Sequence, residues 1–221
     1  MVDRAVGLPL AREGLPFVLG VGIPAAVVGL VGWNGAFAVL GALTCFTAWF
    51  FRNPYRKTPL GQDVIIAPAD GRIVSIEEEF ESRYLKEHSR RISIFLNIFD
   101  VHINRMPCAG TIADIAYQPG QFLAADRPEA TVRNEQNALM IKRLDNRKVL
   151  CVQVAGLIAR RIVCWASPGD AVMTGERFGL IRFGSRVDMF LPMDSHIQVS
   201  KGSAVKGGET ILATLPCADH C

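Results

Sequence analysis

Between Leu15 and Phe51 the chain carries no charged residue, a gap of 37 positions in a sequence of 221. At about 1.5 Å per helical residue such a run would reach roughly 55 Å, against a hydrocarbon core of about 30 Å, which excludes a single upright helix. Turn residues interrupt it at Trp33-Asn34-Gly35. Two short membrane-embedded helices in a hairpin are therefore expected, with Trp33 anchoring the turn at an interface. A small-residue cleavage site is also lacking. The run ends in Ala48-Trp49-Phe50-Phe51 and a basic stop, which argues against a secretory signal. Arg4 and Arg12 precede the run and Arg52, Arg56 and Lys57 follow it, a charge pattern that suits both ends in the cytoplasm.

Other scarcities narrow the function. The six cysteines show no C-x-x-C spacing, so they read as buried free thiols in a reducing compartment. Cys217, His220 and Cys221 crowd the C-terminus, but three donors on a chain end are too little for a metal site, and no metal is expected. No Gly-x-Ser-x-Gly elbow occurs, which argues against a conventional serine hydrolase. A net charge of only +3 makes no case for nucleic acid. The local basic cluster after the apolar run suffices for anionic lipid headgroups.

Beyond Pro59 the pattern turns to short apolar alternations broken by Gly, Pro and Asp. Strands are predicted at Val64–Ile66, Gly71–Ile76, Arg91–Ile98, Gly110–Tyr117, Ala138–Leu144, Val149–Ile158 and Arg161–Trp165. The polar stretch Gln121–Gln136 reads as a long functional loop. An internal repeat follows: Gly169-Asp-Ala-Val-Met-Thr-Gly-Glu176 and Gly202-Ser-Ala-Val-Lys-Gly-Gly-Glu209 agree at five of eight positions, 33 residues apart. Each copy precedes an apolar strand, Phe178–Arg182 and Thr210–Leu215, and its glycines are expected to supply positive φ. The repeat resembles the hammerhead turns of lipoyl- and biotinyl-carrier sandwiches, and Pro68-Ala69-Asp70-Gly71 resembles the entry to the first strand of such a unit. The fold expected is mostly β (α+β), a barrel-sandwich domain carrying an N-terminal membrane-embedded helical hairpin.

Three polar features are hard to assign to structure alone. Asp70 in Pro-Ala-Asp-Gly suits a turn. His102 ends an apolar strand in Phe99-Asp100-Val101-His102-Ile103-Asn104-Arg105. Gly184-Ser185, in RFGSRVDMFLP, reads as an exposed turn between two strands of one sheet. Singly, each has an ordinary structural explanation.

Together with the apolar run, the chain resembles the phosphatidylserine decarboxylase proenzymes in their short bacterial form. The motifs that carry this are Phe50-Phe51-Arg52-Asn53-Pro54, Pro68-Ala69-Asp70-Gly71, Phe99 to Arg105, Asn134-Glu135-Gln136-Asn137, Ala155 to Ile162 and Phe183-Gly184-Ser185-Arg186-Val187. The resemblance implies a segment 1–15, an anchor 16–51 and a catalytic domain 52–221 that cuts itself between 184 and 185. The products would be chains 1–184 and 185–221, with Ser185 becoming a covalent pyruvoyl cofactor. By the same resemblance, Asp70 and a histidine assist Ser185, and His102 serves in turnover as the acid that protonates carbon after CO2 leaves. Asn134, Glu135 and Asn137 are supporting positions. Arg105 stands where long-form relatives carry a second histidine, and Gln136 replaces an arginine. Either His102 serves both steps, or Arg105 positions an oxyanion and another group is the base; Arg105 itself is far too basic to accept a proton.

The implied activity is decarboxylation of phosphatidylserine to phosphatidylethanolamine at the cytoplasmic face of the cell membrane. The implied partners are that lipid, the anionic bilayer, the two fragments of the chain itself and a second copy in a homodimer. Arg52, Arg56, Lys57, Arg160 and Arg161 are candidates for the lipid phosphate. An archaetidylserine decarboxylase would use the same chemistry. A membrane-tethered lipoyl-like adaptor would explain the repeat but not Asp70, His102 and Gly184-Ser185 together.

Overall fold

The computed structural model describes residues 9–121, 133–156, 161–182 and 185–216. The chain divides into two compact units near residue 55.

In the N-terminal unit a 3-10 turn, Arg12–Gly14, leads into helix α1, Leu15–Leu30, and after a short turn into α2, Asn34–Phe50. The turn falls slightly earlier than expected: Gly32 adopts φ +84°, while Asn34 and Gly35 already belong to α2. The helices approach closely where glycines of α1 face side chains of α2. A Cβ on Gly22 would lie 3.3 Å from Thr44, and one on Gly29 would lie 2.9 Å from Phe37. The hydroxyls of Thr44 and Thr47 donate to the Leu40 and Leu43 carbonyls one turn back, at 2.7 and 2.8 Å. Leu19, Ile23, Val27, Leu30, Val39 and Trp49 point outward. Arg12–Leu30 is long and apolar enough to cross a membrane by length and composition.

The second unit is a β domain. Its strands are β1 Val64–Ile66, β2 Gly71–Glu81, β3 Glu87–Leu96, β4 Ile103–Arg105, β5 Gly110–Gln118, β6 Gln136–Lys142, β7 Lys148–Ala155, β8 Ile162–Cys164, β9 Ala171–Val172, β10 Arg177–Ile181, β11 Ser185–Pro192, β12 His196–Ile197, β13 Ala204–Val205 and β14 Ile211–Thr214. An eight-stranded sheet runs β13-β2-β3-β11-β7-β6-β5-β9, and two three-stranded sheets run β1-β14-β12 and β4-β10-β8. β10 and β11 therefore lie in different sheets, contrary to the expectation of one sheet on both sides of Gly184-Ser185. β10 completes a small sheet, whereas β11 is central in the large one.

The domain has an approximate internal two-fold. Arg72 and Ile73 pair with Phe95 and Ile94 ahead of a bulge, and Thr111 and Ile112 pair with Lys142 and Ile141 ahead of a matching bulge. β13 covers the β2 edge and β9 covers the β5 edge. The two hammerhead copies thus close opposite edges that would otherwise expose unpaired backbone. Their four glycines, Gly169, Gly175, Gly202 and Gly208, all have φ between +81° and +92°. Equivalent bonds tie each copy down: Gly169 N to Ile112 O and Gly202 N to Ile73 O, both at 2.8 Å. The dyad falls between β11 and β7, where Met189 faces Cys151.

Strand alternation sends Val187, Met189 and Leu191 of β11 into the main core with Ile92 and Ile94 of β3, Val149 and Cys151 of β7, and Leu139 and Ile141 of β6. The opposite face carries a smaller cluster of Leu85, Ala138, Leu150, Val152, Val154 and Phe190. A sheet buried on both faces holds its central strands rigidly, and β11 is one of them.

Candidate active site

Ser185 is the first residue of β11, paired with Leu96 on one side and Ala155 on the other. The residue read as an exposed turn is completely buried, at 0% accessibility. Its side chain lies on the same face as Val187. Its Oγ finds no hydrogen-bond partner among the described residues. A buried hydroxyl normally has one, as Ser195 does in donating to Pro192 O at 2.6 Å. An orphaned hydroxyl at the start of a rigid central strand is costly to keep and available for chemistry. Gly184 lies outside the described residues.

Asp70 reaches the same end of the sheet. It immediately precedes β2, whose Arg72 pairs with Phe95, and the next residue, Leu96, pairs with Ser185. Arg56 donates through Nη2 to both carboxylate oxygens of Asp70, at 3.0 and 2.7 Å, and Gly207 N adds a third bond at 2.8 Å. The other Arg56 nitrogen lies 3.6 Å from Glu209. Arg56 is thus engaged with two carboxylates.

His102 directly precedes β4 and is buried. Its Nδ1 lies 2.9 Å from Asp100 O. A carbonyl only accepts, so Nδ1 carries the hydrogen and Nε2 is the nitrogen able to take a proton. The preceding turn is braced: Asn97 N donates to Asp100 Oδ2 at 2.8 Å, and Phe99 N donates to Asn97 Oδ1 at 2.7 Å. Ile181 N donates to His102 O at 3.3 Å, which places the histidine beside the strand that runs into residue 185.

Arg105 faces the Asp70 cluster. Its Nη1 donates to Gly175 O at 3.1 Å, and its chain crosses so close to Gly208 that a Cβ there would lie 2.6 Å from Arg105 Cδ. Burial, reinforced by Arg56 and Arg177 and opposed by Asp70 and Glu209, lowers its pKa to about 10. It stays charged at neutral pH and is no base.

The loop motif meets Ser185 from the other side. Asn134 Nδ2 donates to Ala155 O at 2.7 Å, and Ala155 N donates to Glu135 O at 2.9 Å, so both residues hold the strand partner of Ser185. The Glu135 carboxylate accepts from Ile162 N at 3.3 Å. It also binds the Tyr117 hydroxyl, whose pKa is raised by desolvation and by the neighbouring charge. Asn137 Nδ2 donates to Gln153 Oε1 at 2.9 Å, and Gln153 Nε2 donates to Asn104 Oδ1 at 2.7 Å.

Asp70, Ser185, Asn134 and Glu135 therefore gather at one end of the large sheet, and His102 lies beside the strand leading there. Among the remaining phosphate candidates, Lys57 and Arg161 are exposed. Arg52 belongs to the N-terminal unit and covers Trp49 at 4.2 Å, while Arg160 lies outside the described residues. Cys217, His220 and Cys221 also lie outside them. Asn104 and Gln153 were not anticipated. Their signal lay in comparing the sequence with itself, because the stretches ending in Pro68-Ala-Asp-Gly and Pro107-Cys-Ala-Gly are equivalent and only one is polar.

Comparison with known proteins agrees in extent and in kind. The phosphatidylserine decarboxylase family model matches residues 43–213. The chain is 45% identical over 206 residues to a phosphatidylserine decarboxylase proenzyme of Syntrophus aciditrophicus, covering 93% of this chain and 97% of that protein. Proenzymes of the same name from Geotalea uraniireducens and Geobacter metallireducens are 45% and 46% identical, each over 96% of this chain and their own full length.

Proposed function

The chain belongs to the phosphatidylserine decarboxylase family, and from that membership we propose that it cuts its own Gly184–Ser185 bond and then converts phosphatidylserine to phosphatidylethanolamine and CO2. It is a decarboxylase made as a proenzyme; the self-cleavage, the pyruvoyl group and the lipid-surface site are our reading. The observation that carries it is the buried, unpartnered Ser185 Oγ at the head of a central strand.

In the first step Ser185 Oγ loses its proton to His102 Nε2 and bonds to the Gly184 carbonyl carbon, whose π electrons move to oxygen. When that oxygen re-forms its double bond, the C–N bond breaks and the Ser185 nitrogen takes a proton, leaving an ester. Removal of the Ser185 Cα proton then expels Gly184 as a carboxylate. Water replaces ammonia on the dehydroalanine left behind, which yields the pyruvoyl end. Asp70, neutralised by Arg56, keeps the sheet end ordered and polar beside the reacting bond.

The pyruvoyl group supplies a ketone that takes up the substrate amine and draws the electrons left by CO2. His102 Nε2 holds the proton that the substrate carbon then needs. Lys57 and Arg161 supply positive charge for the lipid phosphate. The apolar hairpin keeps the enzyme at the membrane, with the catalytic domain on the cytoplasmic side.

Intact-mass measurement tests the reading. The purified protein is expected as two chains divided after Gly184, the smaller reactive toward a carbonyl reagent and the preparation releasing CO2 from phosphatidylserine vesicles. Ser185→Ala is expected as one inactive chain. A wild-type protein that is active as a single uncut chain overturns the proposal.

A further inference from the structure

The internal two-fold allows each buried residue to be compared with its counterpart in the other half. In β4, Ile103, Asn104 and Arg105 pair with Leu180, Gly179 and Arg177 of β10. In β1, Val64, Ile65 and Ile66 pair in the same order with Thr214, Ala213 and Ile211 of β14. Asn104 thus stands where the other half has Ile65, and both are 0% exposed. Gln153 of β7 corresponds across the dyad to Leu191 of β11, again both fully buried. One half of the fold packs a leucine and an isoleucine at these places, inside the main core. The other half packs two carboxamides. The architecture does not require them.

The carboxamides are ordered in one direction. Asn137 Nδ2 donates to Gln153 Oε1, and Gln153 Nε2 donates to Asn104 Oδ1. With its oxygen engaged by Gln153, Asn104 keeps its NH2 as a donor. That Nδ2 is buried with no partner among the described residues. Gly179, opposite Asn104, permits this close layering, since a Cβ there would lie 2.2 Å from Val163 O and 3.3 Å from Gln153 Nε2.

Register places the relay near Ser185. Gln153 faces Val187 across the β7–β11 pair. Ser185 is its diagonal neighbour on the same face, at the roughly 7–8 Å usual for such positions. Asn104, two residues after His102, accepts a hydrogen bond from Gln153 at 2.7 Å. The two orphaned polar groups, Ser185 Oγ and Asn104 Nδ2, are therefore both tied to Gln153, one by register and one through a hydrogen bond: the first can attack and the second can only donate.

We propose that the Asn104 carboxamide donates a hydrogen bond to the oxyanion that forms on the Gly184 carbonyl oxygen when Ser185 Oγ adds to it. The inference rests on the self-cleavage reading. The amide relay pre-orients the donor, so none of the stabilisation is spent turning it at the moment of reaction. The same relay explains Asn137 without contact to the substrate: it is a positioning residue acting through Gln153.

The test follows self-cleavage directly, as the rate at which full chain made in a cell-free system with vesicles divides into its two fragments. Wild type and Ser185→Ala run alongside. If wild type does not divide, the self-cleavage reading fails; if it does, the Asn104 variants judge this inference alone. Asn104→Asp differs by one group and is expected to divide about 100-fold more slowly at pH 8, as for loss of one oxyanion donor. It should recover at least tenfold, relative to wild type, at pH 5, where the carboxyl regains a hydrogen to donate. The double variant Asn104→Ile with Gln153→Leu copies the apolar pair of the other half. It is expected to melt within a few degrees of wild type and to divide at least 100-fold more slowly. A folded double variant that divides at the wild-type rate, or an Asn104→Asp chain whose deficit does not change with pH, overturns the proposal.

Discussion

Asp70 and Ala109 occupy the same position in the two halves of the β domain, each one residue before the glycine that opens a long strand, Gly71 or Gly110. Both turns follow a proline, and both are tied down by equivalent backbone bonds, Arg105 N to Pro68 O at 2.8 Å and Ile66 N to Pro107 O at 2.9 Å. The turn therefore forms without an aspartate. The carboxylate of Asp70, with Arg56 gripping both its oxygens, serves something other than turn geometry.

Paired glycine substitutions separate these roles. A Cβ on Gly71 would lie 2.2 Å from Phe95 O, and one on Gly110 would lie 2.5 Å from Lys142 O. Gly71→Ala and Gly110→Ala should each cost about 2–4 kcal/mol by forcing a strand pair apart. Only Gly71→Ala displaces Asp70, so only it should slow self-cleavage, by at least tenfold. Thermal melts and the fraction of divided chain check this. Equal slowing by both would make the loss a general consequence of instability.

Arg105→Ile is expected to fold at least as well as wild type. Its counterpart in the other half is Ile66, fully buried. Burial holds the Arg105 pKa down to about 10, so the native state pays for keeping this cation charged. Asp70 and Glu209 retain Arg56 as counter-charge. The melting temperature should stay the same or rise, and self-cleavage should persist within tenfold, because Arg105 faces away from the side of β4 that carries Asn104. A folded Arg105→Ile chain that never divides would assign Arg105 a direct part in the reaction.

Periodicity revealed most of the strands but misjudged their ends for identifiable reasons. β2 continues through Glu77, Glu78 and Glu79 because Arg91 and Arg90 of β3 pair with them across the sheet. A run of acidic residues does not look like a strand until its partner is known. β3 stops at Leu96 and β7 at Ala155, short of the expected ends, since Asn97 begins a braced turn and Gly156 follows Ala155. β9, β12 and β13 have two residues each, too few for any period to register. Ser185, His102 and Asp70 stood out through a family motif. The Asn137–Gln153–Asn104 relay joins three strands distant in sequence, and nothing local marks it. Ser185 itself looked exposed because Gly-Ser is turn chemistry, and only the two flanking strands bury it.

Stability should fall as pH rises above about 9. Cys108 and Cys151 are fully buried; desolvation raises the Cys108 thiol to about 11 and the Cys151 thiol further. Unfolded thiols ionise near 9 while the folded ones stay protonated, so the folded state holds more protons in this window. The stabilisation is complete below the unfolded value and is lost as pH climbs toward the folded one, at no more than about 1.4 kcal/mol per unit for each thiol. Arg105 acts in the opposite sense, but only above about 10. Urea unfolding of the uncut Ser185→Ala chain in detergent at pH 8, 9 and 10 measures the slope. Adding Cys108→Ala and Cys151→Ala should lower stability at pH 8 through the cavities they leave and flatten the decline above 9. An unchanged slope would mean other groups cause it.

His102→Gln separates proton transfer from hydrogen bonding. Glutamine can still reach the Asp100 carbonyl through its amide, so the braced turn Asn97–Asp100 and the β4 register should survive, with a melting temperature near wild type. It cannot accept a proton near neutral pH. Arg105, at the position of the second histidine in long-form relatives, cannot replace it, because its lowered pKa of about 10 still leaves it charged. On the reading that one imidazole serves both halves of the chemistry, His102→Gln should slow chain division by about 100-fold or more, the scale of a lost general base. Fragment formation gives the first readout. Decarboxylation by whatever fraction does divide gives the second, and it should fall by a similar factor per cut molecule. A His102→Gln chain that divides at the wild-type rate yet releases no CO2 would confine the histidine to turnover and require a different base for Ser185.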